Sequence, residues 1–181
     1  MDKIRILVAE DEGLIQKLYD NGLHKDVFET RIVSNGEEAL KVYNEWSPDA
    51  IILDIKMPIM SGYSVLREIR EKNKDKDTAI IMATSLSARD DVISCGKIGI
   101  QGYIIKPIKV GEVGEKVLGY YQKANPLKGR AALDKLREVG KREREARIVN
   151  GKKAQNDESG ADSKESEERS EERPQRERSS N

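Results

Sequence analysis

Five apolar runs of strand length punctuate the first 106 residues, at Ile4 to Ala9, Thr30 to Val33, Ala50 to Leu53, Ala79 to Ala83 and Tyr103 to Ile105. They are nearly continuous rather than alternating, which is the pattern of strands covered on both faces. Between them the apolar residues take helical spacing. Leu14, Ile15 and Leu18 share a face, as do Ala39, Leu40 and Tyr43, then Val65, Leu66 and Ile69, and after the last run Val110, Val113 and Val117. Ser34-Asn35-Gly36-Glu37 and Ser61-Gly62-Tyr63-Ser64 read as helix starts, the first as a capping box with Ser34 as cap and Glu37 three residues on. This alternation predicts an α/β fold, a doubly wound parallel sheet of five strands with right-handed crossovers and helices on both faces.

In such a sheet, ligands bind beyond the carboxyl ends of the strands, where the winding direction reverses. The chain puts reactive polar groups at those ends: Glu10 and Asp11 after the first run, Asp54 after the third, Thr84 after the fourth and Lys106 after the fifth. A dinucleotide-binding half is the alternative topology, but Ala9-Glu10-Asp11-Glu12-Gly13 lacks the glycine fingerprint and would repel a pyrophosphate. Carboxylates gathered at one place stay ionised together only beside a cation, and an oxygen-only site of few carboxylates suits Mg²⁺. Asp54 is then placed to act as a nucleophile toward a phosphoryl group. The Lys106 amine, the Thr84 hydroxyl and the metal can each take one of the three phosphoryl oxygens. Taken singly, each residue has a plainer reading. Glu10-Asp11-Glu12 suits any helix N-terminus, Asp54 and Thr84 suit turns, Lys106 suits a solvated surface, and Tyr103 suits simple packing. Their placement at successive strand ends favours one shared site.

With these residues in view, the chain resembles the receiver, or phosphoacceptor, domain of two-component response regulators. The resemblance rests on Ile6-Leu7-Val8-Ala9-Glu10-Asp11-Glu12, Ile52-Leu53-Asp54-Ile55-Lys56-Met57-Pro58, Gly62, Ile80-Ile81-Met82-Ala83-Thr84-Ser85 and Gly102-Tyr103-Ile104-Ile105-Lys106-Pro107. It implies strand order 2-1-3-4-5, phosphorylation of Asp54, and an acidic pocket made by Glu10 and Asp11. It also implies Mg²⁺ bound by Asp11, Asp54 and the backbone carbonyl of Lys56, Thr84 and Tyr103 as a pair that rearranges on phosphorylation, Lys106 as the phosphate-contacting lysine, and a cis Lys106-Pro107 bond. The implied partners are a sensor histidine kinase or phosphotransfer protein upstream and a protein partner downstream. Such a domain is a regulator rather than an enzyme, although it assists its own phosphorylation and dephosphorylation. A phosphatase with an aspartyl nucleophile is the competing chemistry, but it wants a second Asp where Lys56 stands. Gln101-Gly102 replaces the acidic pair of receivers that dimerise through their last strand, and Lys56 and Leu86 flank the site at positions that set phosphoryl lifetime. Gly111, Gly114 and Gly119 fall in the last receiver helix, where each interior glycine costs about 1 kcal/mol relative to Ala and makes the output face mobile.

The composition divides near Asn125-Pro126. Every Phe, Trp and Tyr lies at or before Tyr121, and after Val149 the only apolar side chains are Ala154 and Ala161. The expected organisation is therefore a receiver domain over 1–124, a basic helical extension over 125–149 and a disordered charged tail over 150–181. Residues 128–149 carry eight Lys or Arg against four Asp or Glu, with Leu133, Leu136 and Val139 as a thin apolar edge. That edge suits a groove on another protein or on the receiver itself. The basic charge leaves open an added nucleic-acid or anionic-surface function, but sequence-specific nucleic-acid reading is not expected without aromatic or scaffolded base-reading groups. The single Cys95 rules out an internal disulfide. No run reaches the roughly 20 apolar residues of a membrane span. With no signal-peptide apolar region at the N-terminus, a cytoplasmic location is the expectation.

Overall fold

In a computed structural model, the backbone is described for residues 2–85 and 89–171 and the side chains for 2–84 and 93–150. Leu86 and the segment 172–181 lie outside the described residues. Strands β1 (Ile4–Ala9), β2 (Phe28–Val33), β3 (Ala50–Asp54), β4 (Ala79–Ser85) and β5 (Gly102–Lys106) alternate with helices α1 (Gly13–Gly22), α2 (Gly36–Trp46), α3 (Gly62–Arg67), α4 (Arg89–Ile98) and α5 (Val110–Ala124). The sheet is wholly parallel, in the order β2-β1-β3-β4-β5. The near-continuous apolar runs have a direct cause. Ile4, Ile6, Val8, Ile52, Ile81 and Ala83 face one core layer with Val113 and Val117 of α5, while Leu7, Ala9, Ile51, Leu53, Ile80 and Met82 face the other with Ala39, Val65, Leu66 and Cys95. Successive side chains of a strand point to opposite faces, and here both faces are dry.

Helix starts follow local chemistry. The cap of α2 is Asn35, not Ser34: its Oδ1 accepts from the Glu38 amide at 3.0 Å, and the Glu38 carboxylate reaches back to accept from the Ser34 amide at 3.1 Å. The cap thus lies one residue later than expected, because Asn35 rather than Ser34 takes the buried corner position, and Glu38 closes on the amide before the cap. The Ser61 hydroxyl caps α3, accepting from the Ser64 amide at 3.2 Å. A π-helical turn, Glu68–Lys72, continues α3 and presents Arg70, whose guanidinium donates to the carbonyls of Gly99, Asp75 and Thr78 at 2.7–2.9 Å. This fan ties the end of α3 to the starts of β4 and β5.

Gly114 serves packing rather than mobility: it is buried where α1 and α5 cross, beside the Gly22 carbonyl oxygen, Phe28 and Leu136. The last helix, α6, runs over Pro126–Glu171, so residues 150–171, expected as disordered tail, carry helical backbone.

Two compact units divide the chain, residues 1–138 and 139–181. The first includes the opening turns of α6. Ala132 is buried in the α5-side core, with Leu133 and Leu136 packed against it, and Lys128 lies 3.7 Å from Asp49. In the second unit Ile148 and Val149 are exposed and Lys141 pairs with Glu145 at 3.9 Å.

Candidate functional site

Winding reverses between β1 and β3, and the residues that leave these two strands are Glu10, Asp11 and Asp54. One carboxylate oxygen from each lies within 4.8 Å of the others. Asp54 is the last residue of β3 and pairs in register with Ala83, which sets Thr84 at the mouth of the site beside it. Lys106 arrives from the end of β5. Its Nζ donates to Asp54 Oδ2 at 2.8 Å and lies 2.7 Å from Glu10 Oε2. Lys106 therefore bridges the two buried carboxylates, while Asp11 stays exposed at the rim.

Burial is uneven. Glu10 is fully buried, and Asp54 and Thr84 are 7% and 3% exposed. Desolvation pushes the Glu10 carboxyl above its ordinary value, and the neighbouring Asp54 charge adds to this against the opposing pull of Lys106. Burial would lower Lys106, but Asp54 and Glu10 outweigh it and hold the amine above its ordinary value. One lysine among three carboxylates leaves the cluster with excess negative charge. The site opens to solvent as a pocket of about 180 Å³ lined by Asp11, Asp54, Lys56, Thr84 and Lys106.

The loop after β3 is drawn tightly over the site. The Ile55 amide donates to the Ala83 carbonyl and the Gly62 amide to the Ile55 carbonyl, each at 3.2 Å. Gly62 lies so close that a Cβ there would run into the Asp54 carbonyl oxygen, so only glycine lets α3 begin at this point. The Lys56 amide makes a long contact of 3.4 Å to Asp54 Oδ1.

The sequence-derived residues Glu10, Asp11, Asp54, Thr84 and Lys106 thus meet at one end of the sheet. Tyr103, in contrast, sits on β5 with its side chain 43% exposed, and the Lys106-Pro107 peptide is cis. Sequence reading missed Tyr19. Its hydroxyl is fully buried in the core without a hydrogen-bond partner among the described residues, and burial, with the charges of Glu10 and Asp54, pushes its ionisation upward. In sequence Tyr19 is only another aromatic one helical turn after Ile15 on α1, so nothing distinguishes its polar end.

The donor set fits Mg²⁺: it offers oxygen alone, from carboxylates brought together at excess negative charge, with Asp11 open to solvent. Among the described residues no helix is long and apolar enough to cross a membrane.

Residues 6–118 match the family model of the response regulator receiver domain. The chain is 35% identical over 123 residues to a probable transcriptional regulator, ycf27, of Guillardia theta, covering 68% of this chain and 47% of the relative. It is 33% identical to the transcriptional regulatory protein PrrA of Mycobacterium leprae, covering 62% and 48%. The chain spans about half the length of these curated relatives. Among solved structures it is similar to the signal receiver domain of a putative LuxO repressor protein from Vibrio parahaemolyticus, with TM-score 0.62, 27% identity and coverage of 68% and 94%. It is also similar to the chemotaxis response regulator CheY4 of Vibrio cholerae, with TM-score 0.60, 25% identity and coverage of 66% and 99%. Its parallel sheet is wound 2-1-3-4-5 with an acidic cluster at the reversal point, and by the match over residues 6–118 the chain belongs to the response regulator receiver domains of two-component systems.

Proposed function

We propose that Asp54 accepts a phosphoryl group from the phosphohistidine of a sensor histidine kinase or phosphotransfer protein, and that the product switches binding of a protein partner through Thr84 and Tyr103. The observation that carries this reading is the position of Asp54. It ends β3 at the mouth of a small open pocket, with Lys106 at 2.8 Å and the Glu10–Asp11 pair beside it.

An Asp54 carboxylate oxygen attacks phosphorus as the P–N bond to the donor imidazole breaks, and the imidazole leaves with the bonding pair and takes up a proton. Lys106, already bridging Asp54 and Glu10, needs only a small movement to meet a phosphoryl oxygen. The Thr84 hydroxyl stands at the adjacent strand end to donate to another. Glu10, Asp11 and Asp54, with the backbone carbonyl of Lys56, would hold Mg²⁺. When bound, the ion supplies Lewis-acid polarisation and offsets the charge that three carboxylates present to an incoming dianion. Glu10, fully buried and ion-paired to Lys106, keeps the lysine aimed into the site.

Thr84 is buried beside Asp54, whereas Tyr103 is exposed on the neighbouring strand, so a pull on the hydroxyl is felt one strand away. Phosphorylation draws Thr84 toward the phosphoryl group and lets the Tyr103 ring take up the vacated space. The chain acts as a regulator, and its C-terminal part supports rather than replaces the receiver: the opening of α6 completes the core, and the remainder tethers or tunes partner binding without reading nucleic-acid sequence.

The test is phosphorylation of the Asp54→Asn variant, with Mg²⁺ and a phosphorylated histidine kinase. The variant is expected to fold and to take up no acid-labile, hydroxylamine-sensitive phosphate. Incorporation at wild-type stoichiometry would exclude Asp54 as the acceptor.

A further inference from the structure

β5 is the last strand of the sheet, so among the described residues one of its edges has no strand neighbour. Main-chain carbonyls on such an edge must find other donors or water. At β5 the donors come from α5. The Tyr120 hydroxyl donates to the Tyr103 carbonyl at 2.8 Å, and Lys123 Nζ donates to the Gln101 carbonyl at 3.3 Å. The two side chains also support each other, since the Lys123 ammonium sits 4.9 Å from the centre of the Tyr120 ring. Between the two carbonyls lies Gly102, and any Cβ there would collide with the Tyr120 ring. The ring therefore lies flush on the strand because position 102 is glycine.

The clamp grips the residue assigned as the moving part of the switch. The Tyr103 side chain is 43% exposed while its carbonyl is held. A backbone held at its outer edge leaves the side-chain torsions as the freedom with which Tyr103 can respond to an event at Thr84. Without the clamp, the same event could move the strand itself.

We propose that Tyr120 is a positioning residue of the switch: its hydroxyl on the Tyr103 carbonyl and its ring on Gly102 pin the outer edge of β5 to α5, so that Tyr103 changes rotamer on a fixed backbone. This rests on the reading of Tyr103 as the switch residue. The pinned edge is also closed to strand addition by a partner, so a partner meets the Tyr103 side chain rather than the β5 backbone.

The experiment compares the full chain with its Tyr120→Phe variant, which keeps the ring and loses the donor. Amide NMR signals and hydrogen exchange are followed with and without Mg²⁺ and beryllofluoride. In wild type the beryllofluoride-induced changes should centre on Thr84 and the Tyr103 side chain, with small changes in the β5 amides. In Tyr120→Phe, beryllofluoride affinity should stay within about twofold, because Tyr120 is remote from the acidic residues. Exchange of the β5 amides should quicken roughly five- to tenfold, as expected for loss of one hydrogen bond, and the induced shifts should spread along residues 101–105. A merely structural role would quicken exchange in every strand alike and leave the pattern of induced shifts unchanged. Either that result, or β5 exchange equal to wild type, overturns the clamp. If the wild-type Thr84 and Tyr103 signals do not move, the switch assignment fails first and takes the clamp with it. Gly102→Ala provides a second reading: by evicting the ring it should reproduce the spread of induced shifts, and a wild-type pattern in a folded Gly102→Ala chain also counts against the proposal.

Discussion

Tyr19 and Lys106 show how single residues divide the work around the acidic cluster. Lys106 is half-buried at a cost that two carboxylates within 2.8 Å offset, and they hold its amine above its ordinary value. Tyr19 carries a polar atom into the core and has nothing to bond with it among the described residues. A buried unsatisfied hydroxyl costs about 1–3 kcal/mol, whereas a phenylalanine of the same shape carries no such penalty. Tyr19→Phe is therefore expected to raise the melting temperature by a few degrees, which differential scanning calorimetry will measure. A lower melting temperature would mean that the hydroxyl finds a donor or acceptor in solution.

At the scale of the element, Asp75 holds the turn between α3 and β4. Its carboxylate accepts from the Asp77 and Thr78 amides, the Thr78 hydroxyl and the Tyr43 hydroxyl, at 2.6–3.0 Å. Burial pushes the acid up, but these hydrogen bonds outweigh it, the Thr78 hydroxyl foremost, and bring it down to about 2. A depressed acid contributes stability that is full above its unfolded value, 3.8 here, and is lost as pH falls toward the folded value of about 2. Urea titrations across this interval should show wild type losing stability that Asp75→Asn never had, so the two curves converge near pH 2. Parallel curves would assign the acid sensitivity elsewhere. α6 offers a second element-level expectation. A chain ending at Asn125 removes Ala132, Leu133 and Leu136 from the α5-side core, a loss of roughly 2–4 kcal/mol of apolar burial, and should melt on the order of 10 °C lower. A chain ending at Asn150 should melt like the full chain and be phosphorylated equally well.

Across the whole molecule, the sheet and most of the site were legible in the sequence because both are written in strong local signals. Five near-continuous apolar runs mark the strands, the inner ones dry on both faces, and polar groups at their ends stand out against them. β2 nonetheless begins at Phe28, two residues before its apolar run suggested, because Glu29 points to solvent and breaks the pattern. The helix between β4 and β5 gave no periodicity to read. Among its described side chains only Cys95 and Ile98 reach the core, and Ile93 is exposed. The apolar edge of α6 was legible, but not which of its two expected grooves it fills, and the grip of Tyr120 on β5 lay beyond any local pattern, since both join residues whose partners are decided only by how the chain returns on itself.

The packing of Trp46 has a practical consequence. It is the chain's only tryptophan, it is 8% exposed, and its ring has the Arg31 guanidinium 4.5 Å away, at the end of α2 where Arg5 hydrogen-bonds its carbonyl. Arg5 also binds Asp49 at the entry to β3, the opposite end of that strand from Asp54. Trp46 emission therefore reports on the foot of the sheet and not on the acidic cluster. It should shift strongly when the domain unfolds in urea and stay nearly constant when Mg²⁺ and beryllofluoride are added. The natural fluorophore thus gives a clean measure of folding, whereas an optical readout of signalling needs a second indole, placed near Tyr103 or Lys56.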